Sequence, residues 1–102
     1  MESNYSTFAA DWWTKKIIEA PENMCIRGLD LFKEELSSKI KTLSSINGSM
    51  YISTYAGKSS NLLDQIAYDS GVKATIPRGF EMRIVFNNVF VYNSHAELVA
   101  SF

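Results

Sequence analysis

A chain of 102 residues, 46% apolar and 13% aromatic, has enough apolar surface to bury a core without metals or cross-links, and 21% charged residues is too few for a disordered segment. Eleven acidic against ten basic side chains leave a formal charge of −1, which excludes a long-range field drawing the chain to nucleic acid or an anionic membrane. The lone cysteine, Cys25, rules out an internal disulfide framework, no apolar run approaches the roughly 18 residues that span a bilayer, and Met1 to Tyr5 lack the features of a signal peptide, so one cytoplasmic domain is expected.

In chain order, Ser6 or Thr7 offers an N-cap for a first helix over about residues 8–19, with Ala9, Trp13, Ile17 and Ala20 on one stripe flanked by Phe8 and Trp12. Pro21 ends that helix or opens the next. Leu29, Phe32, Leu36, Ile40 and Leu43 recur at spacings of three and four, which predicts a second helix that stops near Asn47-Gly48. The period then changes. Met50, Ile52 and Thr54 alternate with Tyr51, Ser53 and Tyr55, predicting a strand over about 50–55. Leu62, Leu63, Ile66 and Ala67 restore helical spacing, with Ser59, Ser60 or Asn61 as caps and Gly71 as the stop. Met82, Ile84 and Phe86 alternate again, Asn87-Asn88 reads as a two-residue hairpin turn, and Val89 to Tyr92 resumes the β pattern. At the end, Ser94 and Glu97 match a capping box while Leu98, Ala100 and Phe102 alternate; a strand is the preferred reading. The expected fold is α+β: two N-terminal helices, a strand, a third helix and a C-terminal antiparallel meander, with the helices packed on one face of a three- to four-stranded sheet.

Gly57-Lys58-Ser59 lies between a predicted strand and helix as a phosphate-binding loop does, but the required earlier glycine is replaced by Ile52. What remains is an anion held by Lys58, Ser59 and Ser60 at a helix start, set against plain helix capping by the same serines. Gln65 to Ile76 resembles the first helix and turn of a helix-turn-helix DNA-binding unit, with Ala67 at the small packing position and Gly71 at the turn. The resemblance implies a recognition helix next, yet Pro77 and Gly79 fall within that segment, and Lys73 and Arg78 are its only basic side chains. For catalysis, His95 falls in a predicted turn with no acid or nucleophile at a recognisable spacing, and Cys25, in a predicted helix, reads as a small core residue. One histidine and one cysteine far apart nominate no zinc site, so no metal and no cofactor are expected.

The aromatics point to binding. Trp12 and Trp13 are adjacent, about 100° apart on a helix, so one of them should reach an edge. Tyr51 and Tyr55 share a strand face opposite Met50 and Ile52, with Tyr92 expected on a neighbouring strand of the same sheet; if the helices cover the other face, the tyrosines form an exposed strip. The expectation is a non-enzymatic protein-binding or self-associating module, an adaptor or inhibitor of the kind phages and mobile elements often carry, with Trp12, Tyr51, Tyr55 and Tyr92 as contacts. The alternative is nucleic-acid binding through Lys58, Ser59, Ser60, Lys73, Arg78 and Arg83.

Overall fold

A computed structural model of the chain describes residues 5–19, 28–54, 61–72 and 76–102. The elements follow as α1 (Tyr5–Glu19), α2 (Leu29–Asn47), β1 (Ser49–Ser53), α3 (Asn61–Asp69), β2 (Glu81–Val85), β3 (Asn88–Tyr92) and β4 (Leu98–Ser101). The four strands form one antiparallel sheet in the order β1-β2-β3-β4. The fold is the expected α+β arrangement, with the sheet at the upper end of the expected strand number.

The core lies between the helices and one face of the sheet. Ala9, Ala10, Trp13 and Ile17 of α1, Phe32, Leu36 and Ile40 of α2, and Leu63, Ile66 and Ala67 of α3 are buried together with Ile52, Met82, Ile84, Val89 and Val91 of the strands. The strand residues obey the two-residue period of a pleated strand, and register keeps them on one side: Ile52 sits opposite Met82, Met82 opposite Val91, and Ile84 opposite Val89.

α1 begins earlier than the residues around Ser6 and Thr7 suggest. Ser6 is buried inside the helix rather than capping it, because the first turn is docked on α2. There the Tyr5 hydroxyl lies 2.6 Å from Ser44 Oγ, and Ser44 Oγ in turn donates to the Ile40 carbonyl at 2.6 Å. Asp11 joins the same two helices, contacting Lys15 at 3.0 Å and Lys33 at 3.1 Å, and hydrogen bonds from these lysines hold its carboxyl below the usual carboxylate range. Pro21 and Cys25 lie outside the described residues; α2 starts after Gly28 and ends, as its sequence signals, at a left-handed Gly48. α3 closes with Gly71 in the left-handed region and the Val72 amide donating to the Ala67 carbonyl at 2.8 Å, a Schellman closure.

Trp13 is fully buried, but its Nε1–H has no hydrogen-bond partner among the described residues. An orphaned buried donor costs about 1–3 kcal/mol. Trp13→Phe removes that donor along with some ring volume, so it is expected to lower unfolding free energy by less than about 1.5 kcal/mol, whereas Trp13→Ala loses about 3–5 kcal/mol. Denaturant titration of the two variants checks this ratio.

Two local readings need correction. The hairpin turn is Phe86-Asn87, not Asn87-Asn88; Asn88 already pairs with Val85 as the first residue of β3. The C-terminal segment is a strand, as preferred, but Ser94 and Glu97 form no capping box. Instead Asn93 Oδ1 accepts the amides of His95 at 2.9 Å and Glu97 at 3.0 Å, turning the chain into β4.

Candidate functional site

With α1, α2 and α3 all seated on one side, the opposite face of the sheet is left to the outward residues of each strand. Register sets Tyr51 of β1 opposite Arg83 of β2, Arg83 opposite Phe90 of β3, and Phe90 opposite Ser101 of β4. The next row runs Ser53, Glu81, Tyr92, Leu98. Directly opposed side chains in such pairs lie about 4.5–5.5 Å apart at Cβ, so these residues form one continuous surface. Tyr51 is 64% exposed, Arg83 is exposed, and Phe90 and Tyr92 are half-buried.

Arg83 organises this surface. Its Nε donates to Glu81 Oε2 at 2.9 Å, and its guanidinium carbon stands 5.0 Å from the Tyr92 ring centroid. The hydrogen bond that Arg83 donates to Glu81, and the charge of that carboxylate, raise the arginine pKa still further, so the group stays cationic throughout the working range. The paired charges cancel, and what the face presents is aromatic and hydrogen-bonding surface held at fixed positions by the ladder.

The expected contact residues are divided by this geometry. Tyr51 and Tyr92 do share the open face, although β2 separates their strands, so they are not on adjacent strands. Trp12 does not join them. It lies on the helical side, edge-on to Phe80 at 5.1 Å and to Trp13 at 4.9 Å, where it seals one end of the core; of the two tryptophans it is indeed the one that reaches an edge. Tyr55, Lys58, Ser59, Ser60 and Lys73 lie outside the described residues. Arg78 is exposed in the segment leading into β2. Residues 76–80 are not helical, so no recognition helix forms there, and Pro77 and Gly79 accord with that. Phe90 escaped notice because the run from Val89 to Tyr92 reads as β without saying which of its residues face outward; strand pairing alone settles that.

Phe86 is the other unexpected feature. At the β2–β3 tip it holds φ +54° while 72% exposed, a left-handed backbone that a bulky side chain avoids and that packing does not repay there. Phe86→Asn is expected to raise unfolding free energy by up to about 1 kcal/mol, read as a higher denaturant midpoint at unchanged slope.

No helix among the described residues is long and apolar enough to cross a membrane, and no group of three or more metal-capable side chains occurs among them. The depression between α1 and α2, lined by Thr7, Asp30, Lys33, Glu34 and Ser37, is mixed in charge, and its lysine is already paired with Asp11. Comparison with known protein families, curated proteins and solved structures finds no match to this chain.

Proposed function

We propose that the chain is a non-enzymatic, cytoplasmic protein-binding module that engages its partner through the open face of the sheet. The observation that carries this reading is the row Tyr51–Arg83–Phe90 with Tyr92 beside it, on the side of the sheet away from the three described helices. Tyrosine and arginine are the residue types in which interface energy concentrates, because they bring large rigid area and directional hydrogen bonds at little entropic cost. The ladder holds their backbones in place before a partner arrives, which lowers the ordering cost of association.

Aromatics on an open sheet also suit stacking of single-stranded bases. The charges argue for protein instead: a phosphate backbone needs a track of free cations, and on this face Arg83 is already joined to Glu81. The two readings separate in one experiment, capture from native-host lysate with and without nuclease. Under the protein reading a stoichiometric partner survives nuclease and is lost from a Tyr51→Ala/Tyr92→Ala bait; material that disappears with nuclease, or whose retention falls steeply with salt, establishes the nucleic-acid reading.

A further inference from the structure

β4 is an edge strand, and its outer side carries backbone groups that no strand of the sheet takes up. Phe102 and Val89 exchange both backbone hydrogen bonds, at 2.9 and 3.3 Å. In an antiparallel ladder the residue next to such a pair, here Ser101, turns its N–H and C=O away from the neighbouring strand. Folded proteins usually protect such an edge with lysine, proline or a covering element. None of residues 98–102 is charged or proline. One blunting device is present, a register irregularity opposite Val91/Tyr92, but it sits at the start of β4 and leaves Ala100 to Phe102 in regular pairing.

The side chains along this edge are unusually apolar for an exposed strand. Leu98, Val99 and Phe102 are between 44% and 54% exposed, and Phe8 of α1, 50% exposed, lies against Phe102 with ring centroids 6.2 Å apart. We infer that β4 is a self-association edge, pairing antiparallel with β4 of a second copy of this chain. A second copy fits for two reasons. An uncharged strand meets its own copy without like-charge repulsion, and an antiparallel two-fold pairing is self-complementary, each Ser101 supplying the donor and the acceptor that the other lacks. Phe102 of each copy then covers Ala100 of the partner subunit, with Phe8 closing over the contact from the helical side. Two four-stranded sheets become one of eight, and their open faces merge into a single surface. Ser101 and Leu98 border the open face, but the pairing uses the outer backbone edge of β4 and none of Tyr51, Arg83 or Tyr92, so it stands or falls independently of the function proposed above.

Sedimentation velocity of the full chain from micromolar to several hundred micromolar tests this directly. The wild type is expected to pass from monomer to dimer with concentration. Ser101→Pro removes the outward donor at a position where a strand edge tolerates proline, and Ser101→Lys sets two lysines directly opposite each other across the two-fold. Each should raise the dimer dissociation constant by about tenfold or more, as expected for a lost backbone hydrogen-bond pair or a like-charge contact, with the far-ultraviolet circular dichroism spectrum unchanged. Tyr51→Ala/Tyr92→Ala should leave the dimer intact. A wild type that stays monomeric over the whole range overturns the inference, as does a dimer that survives both edge variants or is lost only in the tyrosine variant. Should Ser101→Pro perturb the fold, Ser101→Lys decides.

Discussion

Gly28→Ala is expected to lower unfolding free energy by on the order of 3 kcal/mol although it adds a single methyl group. Gly28 precedes α2 with φ +85°, a backbone region that costs a residue with a Cβ about 1–2 kcal/mol. The added methyl would also stand 2.8 Å from the Ser70 carbonyl oxygen and 3.3 Å from Val72 Cγ2. The valine can yield, but the carbonyl belongs to the turn that closes α3 and cannot move without disturbing the hydrogen bonds from Ser70, Gly71 and Val72 into that helix. At this position the start of α2 rests on the end of α3 with no room for a side chain. A thermal midpoint roughly 12–24 °C below wild type, at about 4–8 °C per kcal/mol, is the expected reading. Gly48→Ala makes the control: φ is also positive, at +76°, but nothing lies within 4 Å of the added atom, so only the backbone strain remains.

Tyr51→Ala/Tyr92→Ala is expected to have the largest effect on binding. Hot-spot truncations commonly cost 2 kcal/mol or more, about thirtyfold in affinity each, so the pair should weaken a purified complex by roughly a thousandfold. The effect on folding should be small by comparison. Tyr51 is mostly in solvent, and Tyr92 packs on the outer side of the ladder rather than in the core between sheet and helices. Removing Tyr92 also takes away the ring beneath the Arg83 guanidinium, leaving Arg83 held by Glu81 alone. Titration calorimetry of the complex alongside thermal melts of the free protein separates the two effects.

Most of the architecture was legible because the period of the apolar residues changes from about 3.6 to 2 near Asn47-Gly48 and reverts for α3, and because glycines mark the helix ends. Gly48 and Gly71 stand in the left-handed region that their positions implied. The hairpin turn was placed one residue late for a physical reason: asparagine is the residue expected at positive φ, whereas here Phe86 adopts it and Asn88 enters the strand. The start of α1 was misplaced because Ser6 and Thr7, the caps that the local sequence offers, lie inside a first turn held by a long-range contact, Tyr5 to Ser44. The candidate site was half legible. Alternation on β1 placed Tyr51 opposite the core face, but the meeting of Tyr51 with Arg83, and of Arg83 with Phe90, depends on which strands pair and in what register. Trp12 misled because an adjacent tryptophan pair shows that one ring must reach an edge and not which edge it reaches.

The open face is tested most directly by comparing two baits in nuclease-treated native-host lysate. One carries Tyr51→Ala/Tyr92→Ala on the sheet, and the other carries Leu31→Ala/Tyr68→Ala at exposed positions of α2 and α3. Both should fold as wild type, and the helical variant should retain the partner that the sheet variant loses. Retention of the partner by the sheet variant, or its loss only from the helical variant, would contradict the assignment of binding to the open face.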